Sequence, residues 1–396
     1  ITNPEAVAKN TAEFKDPLRS LVKNMEARKK LRTGYTTGTC AALAAKAAAE
    51  YWLSGKMPQT VSVDTPKGVK ITVCPIDGGR DDTGAMCWVR KDGGDDIDAT
   101  HGMRIGARVE PLSAPETGVL IEGGEGVGVV TKPGLDQPVG NAAINRVPRA
   151  MIAQAVQDVC VRHHHKNAFR VVIFAEGGRE IAKKTFNPHL GIVGGISILG
   201  TSGIVEPMSV QALVDTIDLC EKQAAALGKK HLILTPGNYG ESFLQENRIA
   251  SDAVAIVKCS NFIGEALDMA AEYGFSTVLL VGHVGKLVKL AGGIMNTHSR
   301  WADCRTELIC AHAAVCGAGR PLCQALMQAA TTDACLELLK QAGLQEQVMA
   351  SLLSAIQTHL ERRAAGAYRV GAVLFSNEHG ELGRTKETEG LIHLWK

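Results

Sequence analysis

Three short apolar runs, HLILTPGN (231–238), AIVKCSN (255–261) and STVLLVGH (276–283), each break into a small-residue turn and then a helical pattern. Apolar strands that alternate with helices stack as a doubly wound, mostly parallel sheet with helices on both faces. In such a sheet ligands lie outside the carboxyl ends of the strands, and TPGN, KCSN and VGH all fall there. GISILG (195–200) is expected as a preceding strand, followed by a helix over 209–227. Residues 303–363 read as helical, and RVGAVLF (369–375) is a late strand that can pair with either domain.

The first half has a different rhythm. LRTGYTTGTC (31–40) opens an Ala-rich run, AALAAKAAAEYWL, of high helix propensity, with an N-cap expected at Thr37, Gly38 or Thr39. Short β-type runs follow at 61–64, 69–75, 85–91 and 105–111, separated by Gly/Asp turns. A second helix is expected from near Pro148 to about Arg162. FRVVIFA (169–175) and REIAKKT (179–185) flank EGG as a hairpin would. The expected organisation is a helical lead over 1–30, an α+β domain over 31–188 and a Rossmann-like α/β domain over 189–396 with a helical C-terminal part.

Composition removes several function classes. The 396 residues carry a net charge near +2, which does not favour bulk nucleic-acid binding. No apolar run reaches the roughly 18 residues of a membrane span. The start, ITNPEAVAKN, has no apolar signal core and no initiator Met, so a processed or trimmed cytoplasmic chain is expected. The 11 cysteines, an odd number without CxxC spacing, read as reduced thiols rather than disulfides or a zinc site.

Five segments have the composition of a site. The loop Thr33-Gly34-Tyr35-Thr36-Thr37-Gly38-Thr39 opens a helix, where free N–H groups and hydroxyls attract a carboxylate or phosphate. EGGEGVG (122–128) has the glycines of an acidic nucleotide loop but is followed by VVTKPG, a strand and turn, so it reads as a tight turn. Asp92, Asp95, Asp96 and Asp98 with His101 form a Gly/Asp loop, read as solvated rather than metal-binding. The glycines of 191–195 and 200–203, with TPGN and GHVGK, would let backbone approach a nucleotide-like ligand. Asn296-Thr297-His298-Ser299 precedes Asp303, so His298 and Asp303 could couple as acid and base. Neither GxGxxG nor a P-loop is present, which leaves a nicotinamide-dependent oxidoreductase without motif support.

Taken in order, LRTGYTTGTCAALAAKAAA, VRKDGGDDIDATHG, GGEGVGVVT, AINRVPR, LGIVGGISILGTSGIVEPMS, LTPGNYGE, SNFIGEAL and VGHVGKLVKLAGGIMNTHS resemble the CbiD family, the cobalt-precorrin-5B (C-1)-methyltransferases. The likeness runs from about 31 to 310 and more weakly to near 375. It implies methyl transfer from S-adenosylmethionine to carbon 1 of a cobalt-precorrin in anaerobic cobalamin biosynthesis. The implied partners are the tetrapyrrole and neighbouring enzymes of that pathway. The cobalt belongs to the substrate, so no protein metal site is implied.

Under that resemblance the adenosyl donor is expected at Gly194, Gly195, Thr201, Ser202, Gly203, Thr235, Pro236, Gly237, Asn238, Gly282 and His283. The macrocycle, with its many carboxylates, is expected between the domains. Its expected contacts are Arg32, Thr33, Gly34, Thr36, Thr37, Gly38, Thr39, Asp95, Asp96, Arg146, Arg149, Lys286, Thr297 and Ser299. Methyl transfer from a sulfonium does not require a general base; the histidines expected to serve as one are His298, His283 and His101. The alternatives are a non-catalytic tetrapyrrole carrier, distinguished by lacking a site for the donor, and an NAD-dependent oxidoreductase, distinguished by a GxGxxG turn.

Overall fold

A computed structural model describes residues 31–112, 118–165, 168–247 and 249–395. The expected helical lead over 1–30 lies outside them. The described residues divide into two units, one within 31–130 and 140–208, the other within 131–139 and 209–395.

In the first unit β1 (Gly34–Tyr35) leads into helix α1 (Thr37–Ser54). Strands β2 (Val61–Asp64) and β3 (Lys70–Val73) pair as a hairpin. Then come β4 (Asp77–Arg80), β5 (Ala85–Arg90), β6 (Arg104–Pro111), β7 (Val119–Gly123), β8 (Val129–Val130), α2 (Arg146–Arg162) and β9 (Phe169–Ala175). The main sheet has the order β4-β5-β6-β9-β7. Only the β7–β9 pair is parallel. Helix α1 is buried along most of its length, with Cys40–Ala45 and Ala47–Ala49 wholly inaccessible. A run of alanines does this because each buries a methyl with no side-chain entropy to lose, so the backbone can sit close to its neighbours. Its core partners include Ile105, Ile152, Val156 and Phe169 from the sheet and α2.

Residues 179–185 do not form the second arm of a hairpin. They hold helix α3 (Gly178–Ala182), which follows the left-handed Gly177. Both edges of β9 are already paired, with β6 and with β7, so no edge remains for another strand. After β10 (Ile192–Val193), GISILG does not make a regular strand of the later sheet either. Ile196 and Ile198 form isolated bridges to Val127 and Ile144 and are buried in the first unit's core. The segment ends at β11 (Ile204–Val205), paired with β1.

The second unit begins its main run with α4 (Val210–Ala226), then β12 (His231–Thr235), α5 (Asn238–Glu246), β13 (Val254–Lys258), α6 (Ile263–Glu272) and β14 (Thr277–His283). A short helix α7 (Val284–Leu287) runs into a 3-10 turn at Val288–Gly292, closed by the left-handed Gly293. Four helices follow: α8 (Arg305–Val315), α9 (Arg320–Gln328), α10 (Thr332–Gln341) and α11 (Gln345–Ala364). The chain ends with β15 (Arg369–Ser376), β16 (Gly380–Arg384) and α12 (Thr388–His393).

The sheet order is β13-β12-β14-β15-β16. The first four strands are parallel, and β16 is antiparallel with a register shift at Leu374/Phe375. Strand β15 thus joins the second unit beside β14. Side chains alternate between two buried faces, as the strand period requires. Leu232, Leu234, Val278, Leu280 and Leu374 share one core with residues of α4, α6 and α11. Ile233, Leu279, Val281, Val373 and Phe375 share the other with Phe243 and Leu244 of α5 and with Leu391, Ile392 and Trp395. Among the described residues no helix is long and apolar enough to cross a membrane.

Glu221 of α4 is fully buried, and neither carboxylate oxygen has a hydrogen-bond partner. Burial, with a smaller push from Asp218, raises its carboxyl to about 9. A raised folded-state pKa means that the fold holds the proton while the unfolded chain has released it, so stability falls as pH rises from the usual carboxylate range toward 9. Glu221→Gln is therefore expected to raise the melting temperature at pH 8 by roughly 2–4 °C and to change it little near pH 4.5, read by calorimetry across pH.

Candidate active site

The order β13-β12-β14 means that the chain leaves β12 toward one side and crosses back to the other. The carboxyl ends of β12 and β14 therefore flank a switch point, the position where such sheets leave a crevice. A cavity of about 660 Å³ opens there, lined by Pro236, Gly237, Asn238, Gly282, His283 and Lys286 among others. That size lies within the roughly 300–1,000 Å³ range of small-molecule sites. Gly237 precedes α5 in fully extended conformation, φ 170°, and a Cβ built there meets nothing within 4 Å. Gly282 differs, because a Cβ there would lie 3.0 Å from Pro236.

The polar groups of the cavity have defined partners. Lys286 donates from Nζ to the Pro236 carbonyl at 2.6 Å, and burial pulls its ammonium below the usual lysine range. His283 caps α7 by accepting the Gly285 N–H at Nδ1, 3.1 Å. A neutral ring with Nδ1 as acceptor carries its hydrogen on Nε2. Phe375 sits edge-on to that ring at 5.9 Å. Arg305, Thr331, Thr332, Asp333 and Asn377 also line the cavity. Sequence reasoning missed these five, because they come from the helical excursion between β14 and β15 and from the end of β15.

The other residues singled out in the sequence are elsewhere. Gly194, Gly195, Thr201, Ser202 and Gly203 belong to the first unit, not to the strand ends of the parallel sheet. Gly195 and Gly203 serve packing: a Cβ on Gly195 would strike the backbone of Gly126 and Val127, and one on Gly203 would lie 2.7 Å from Thr65, whereas Gly194 has open space and a left-handed φ of 85°. Ser202 bonds within its own turn, to the Ile204 N–H and carbonyl. EGGEGVG begins with the last two residues of β7 and leads toward β8 rather than into a helix.

The threonine loop is cross-linked internally. The cap of α1 is Thr36, one residue before the expected position, and its Oγ1 accepts the Thr39 N–H at 3.2 Å. Thr37 Oγ1 accepts from Leu199 N–H at 2.9 Å and donates to the Leu199 carbonyl at 3.2 Å. Thr39 Oγ1 donates to the Gly203 carbonyl at 2.7 Å, and Gly38 N–H donates to Leu199 O at 3.0 Å. Gly34 and Gly38 leave no room for a side chain, against Gly93 and Pro148 respectively, while Thr33 is exposed. The hydroxyls of Thr37 and Thr39 and the N–H groups of Thr36 and Gly38 are thus taken up by residues 199–203, and the Thr39 N–H by Thr36.

Four of the charged residues expected to bind substrate, Arg32, Asp95, Asp96 and Arg149, have defined protein partners. Arg32 is paired with Asp92, and Asp95 accepts its backbone N–H at 2.7 Å. Asp96 accepts the Met208 N–H, and His101 Nδ1 accepts the Gly93 N–H at 3.0 Å. Asp98 is paired with the buried Lys91. Arg149 holds the carbonyls of Ile144 and Ile121, both at 2.9 Å, and Arg146 is an exposed residue at the start of α2. His298 does not couple to Asp303: its Nδ1 accepts the Arg300 N–H, while Asp303 pairs with Arg305 at 2.6 Å and Lys289 at 3.6 Å. Thr297 is buried against Asn261, and Ser299 is exposed. Asp333, Glu378 and His379 place one ligand atom each within 4.8 Å of one another, but two carboxylates and a histidine at a surface need no ion.

Thr37→Val should cost about 1–3 kcal/mol of stability, the price of leaving the Leu199 groups unpaired, with no change in affinity for the carboxylate-rich macrocycle expected at this loop. Weakened ligand binding at unchanged stability, by calorimetry, would instead make the loop a ligand site.

The CbiD family model matches residues 24–207, and the model for the CbiD C-terminal domain matches 296–386. The chain is 48% identical to a cobalt-precorrin-5B C(1)-methyltransferase of Ruminiclostridium cellulolyticum, over 89% of this chain and 91% of that one. It is 46% identical to the protein of that name from a Thermoanaerobacter species, over 80% and 84%. A crystal structure of the cobalamin biosynthesis protein CbiD from Archaeoglobus fulgidus is 28% identical, covering 68% of this chain and 83% of that one, with a TM-score of 0.37. With matches of this identity and coverage, the chain belongs to the CbiD family.

Proposed function

We propose that this chain methylates carbon 1 of cobalt-precorrin-5B to give cobalt-precorrin-6A in anaerobic cobalamin biosynthesis, with S-adenosylmethionine as donor in the cavity at the ends of β12 and β14. The reaction is the one named for its relatives. The placement of the donor rests on one observation above all: an open, glycine-bordered cavity at the switch point of the mostly parallel sheet β13-β12-β14-β15-β16. A nicotinamide oxidoreductase or a non-catalytic carrier is not favoured, since the relatives bear the name of a methyltransferase.

S-adenosylmethionine supplies a methyl group already activated on a sulfonium. The work left to the protein is to hold and to orient. Gly237 and Asn238 let the backbone at the start of α5 lie directly against the ligand, where unpaired N–H groups and the helix dipole favour a carboxylate. Lys286 brings a partly desolvated cation to the same wall. His283 offers an Nε2–H donor rather than a base as long as Nδ1 caps α7. Positioning of this kind can contribute roughly 7–11 kcal/mol to lowering a barrier. The cobalt enters with the tetrapyrrole. All eleven cysteines are free thiols, which fits a reducing compartment such as the cytoplasm.

Gly237→Val tests the placement. The extended φ accepts any residue and the new Cβ meets nothing, so the fold is expected to keep its melting temperature. The branched side chain enters the cavity, and affinity for S-adenosylmethionine by isothermal calorimetry is expected to drop about a hundredfold or more, equivalent to ~3 kcal/mol. Unchanged affinity in the folded variant rules out this cavity.

A further inference from the structure

Two charged side chains line the cavity without an opposite charge to neutralise them. Lys286 has a hydrogen bond to the Pro236 carbonyl but no salt bridge among the described residues. Asp333 accepts a hydrogen bond from Ser376 Oγ and likewise has no salt bridge among the described residues. The remaining charged residue of the lining, Arg305, is closed off by Asp303 at 2.6 Å and 3.0 Å. The two unpaired groups do not bridge each other, although both face the same cavity.

They also stand on adjoining elements. Lys286 lies in α7, just past β14, and Asp333 lies in the first turn of α10, tied to the end of β15 through Ser376. A Cβ on Gly285 would be 3.4 Å from Thr332 Oγ1, so the start of α10 abuts the turn that carries Lys286. The first turn of a helix favours a charged carboxylate. Glu378 and His379 come within 4.8 Å of the Asp333 carboxylate, and Glu378 adds to the pull on a cation. A cavity with one unneutralised cation and one unneutralised anion is complementary to a zwitterion, because a ligand bearing a single charge would leave one of them desolvated and unpaired.

We propose that Lys286 and Asp333 bind the α-amino-acid end of the adenosyl donor, the lysine its carboxylate and the aspartate its ammonium. This assignment rests on the placement of the donor argued above and adds the two residues that fix its orientation. The sequence marks neither as a pair, since 46 residues separate them.

The test uses isothermal calorimetry with S-adenosylhomocysteine, which carries the amino-acid end, and 5′-methylthioadenosine, which lacks it. Asp333→Asn keeps the acceptor for Ser376 and removes the charge. It is expected to weaken S-adenosylhomocysteine by about tenfold or more, the size of one charge-assisted hydrogen bond, and to leave 5′-methylthioadenosine unchanged. Lys286→Gln should show the same selectivity. Equal losses for the two ligands, or no loss for either, overturn the assignment. If Gly237→Val abolishes S-adenosylhomocysteine binding while Asp333→Asn and Lys286→Gln do not weaken it, the cavity stands and only this assignment fails. If Gly237→Val leaves binding intact, the cavity and the assignment fall together.

Discussion

The parallel pairing of β12 with both β13 and β14 is the constraint on which the second unit depends. Leu232 and Leu234 face one core and Ile233 the other, so the strand cannot slip by one residue without turning both sets the wrong way. With the register fixed from His231 to Thr235, the chain must turn at Pro236 and Gly237, and α5 begins tight against the sheet. A Cβ on Gly240 would stand 2.9 Å from Thr235, which shows how closely helix and strand meet. The crevice at these ends is a product of topology, and the residues that border it are placed there by hydrophobic packing elsewhere.

Glycines alike in sequence stand in different surroundings, as examples from the two units show. In the first, Gly34, Gly38, Gly195 and Gly203 are glycines because other atoms occupy the space of a side chain, and Thr37 and Thr39 bind the 199–203 segment. In the second, Gly237 faces open space. Gly282, on the same cavity, is confined by Pro236 at 3.0 Å, so residue type alone does not tell a packed glycine from an open one.

This explains which parts were legible in the sequence. The parallel strands, the Ala-rich helix and the helix from Arg146 to Arg162 were readable because their signals are local runs of apolar or helix-forming residues. The turns at 235–238 and 282–286 could be singled out because they directly follow such runs. The threonine loop misled because its partners lie about 160 residues away, and nothing near Thr37 announces Leu199. Residues 179–185 misled for a related reason: strand formation depends on a free edge, and β9 had none. Asp333 and Asn377 reach the cavity only after a helical excursion from β14 to β15, so no spacing could have joined them to Gly237.

The edge strand β16 has one more consequence. It is five residues long, runs against its neighbour, and meets it through an irregular step at Leu374/Phe375. Arg384 pairs there with Glu381 at 2.7 Å and with Glu389 at 2.6 Å. At the opposite border, Lys258 of β13 pairs with Glu241 at 2.8 Å. A sheet that ends in short or charge-bearing borders offers a poor template for strands of another copy, so self-assembly into stacked aggregates is disfavoured in a molecule whose inner strands would otherwise be adhesive.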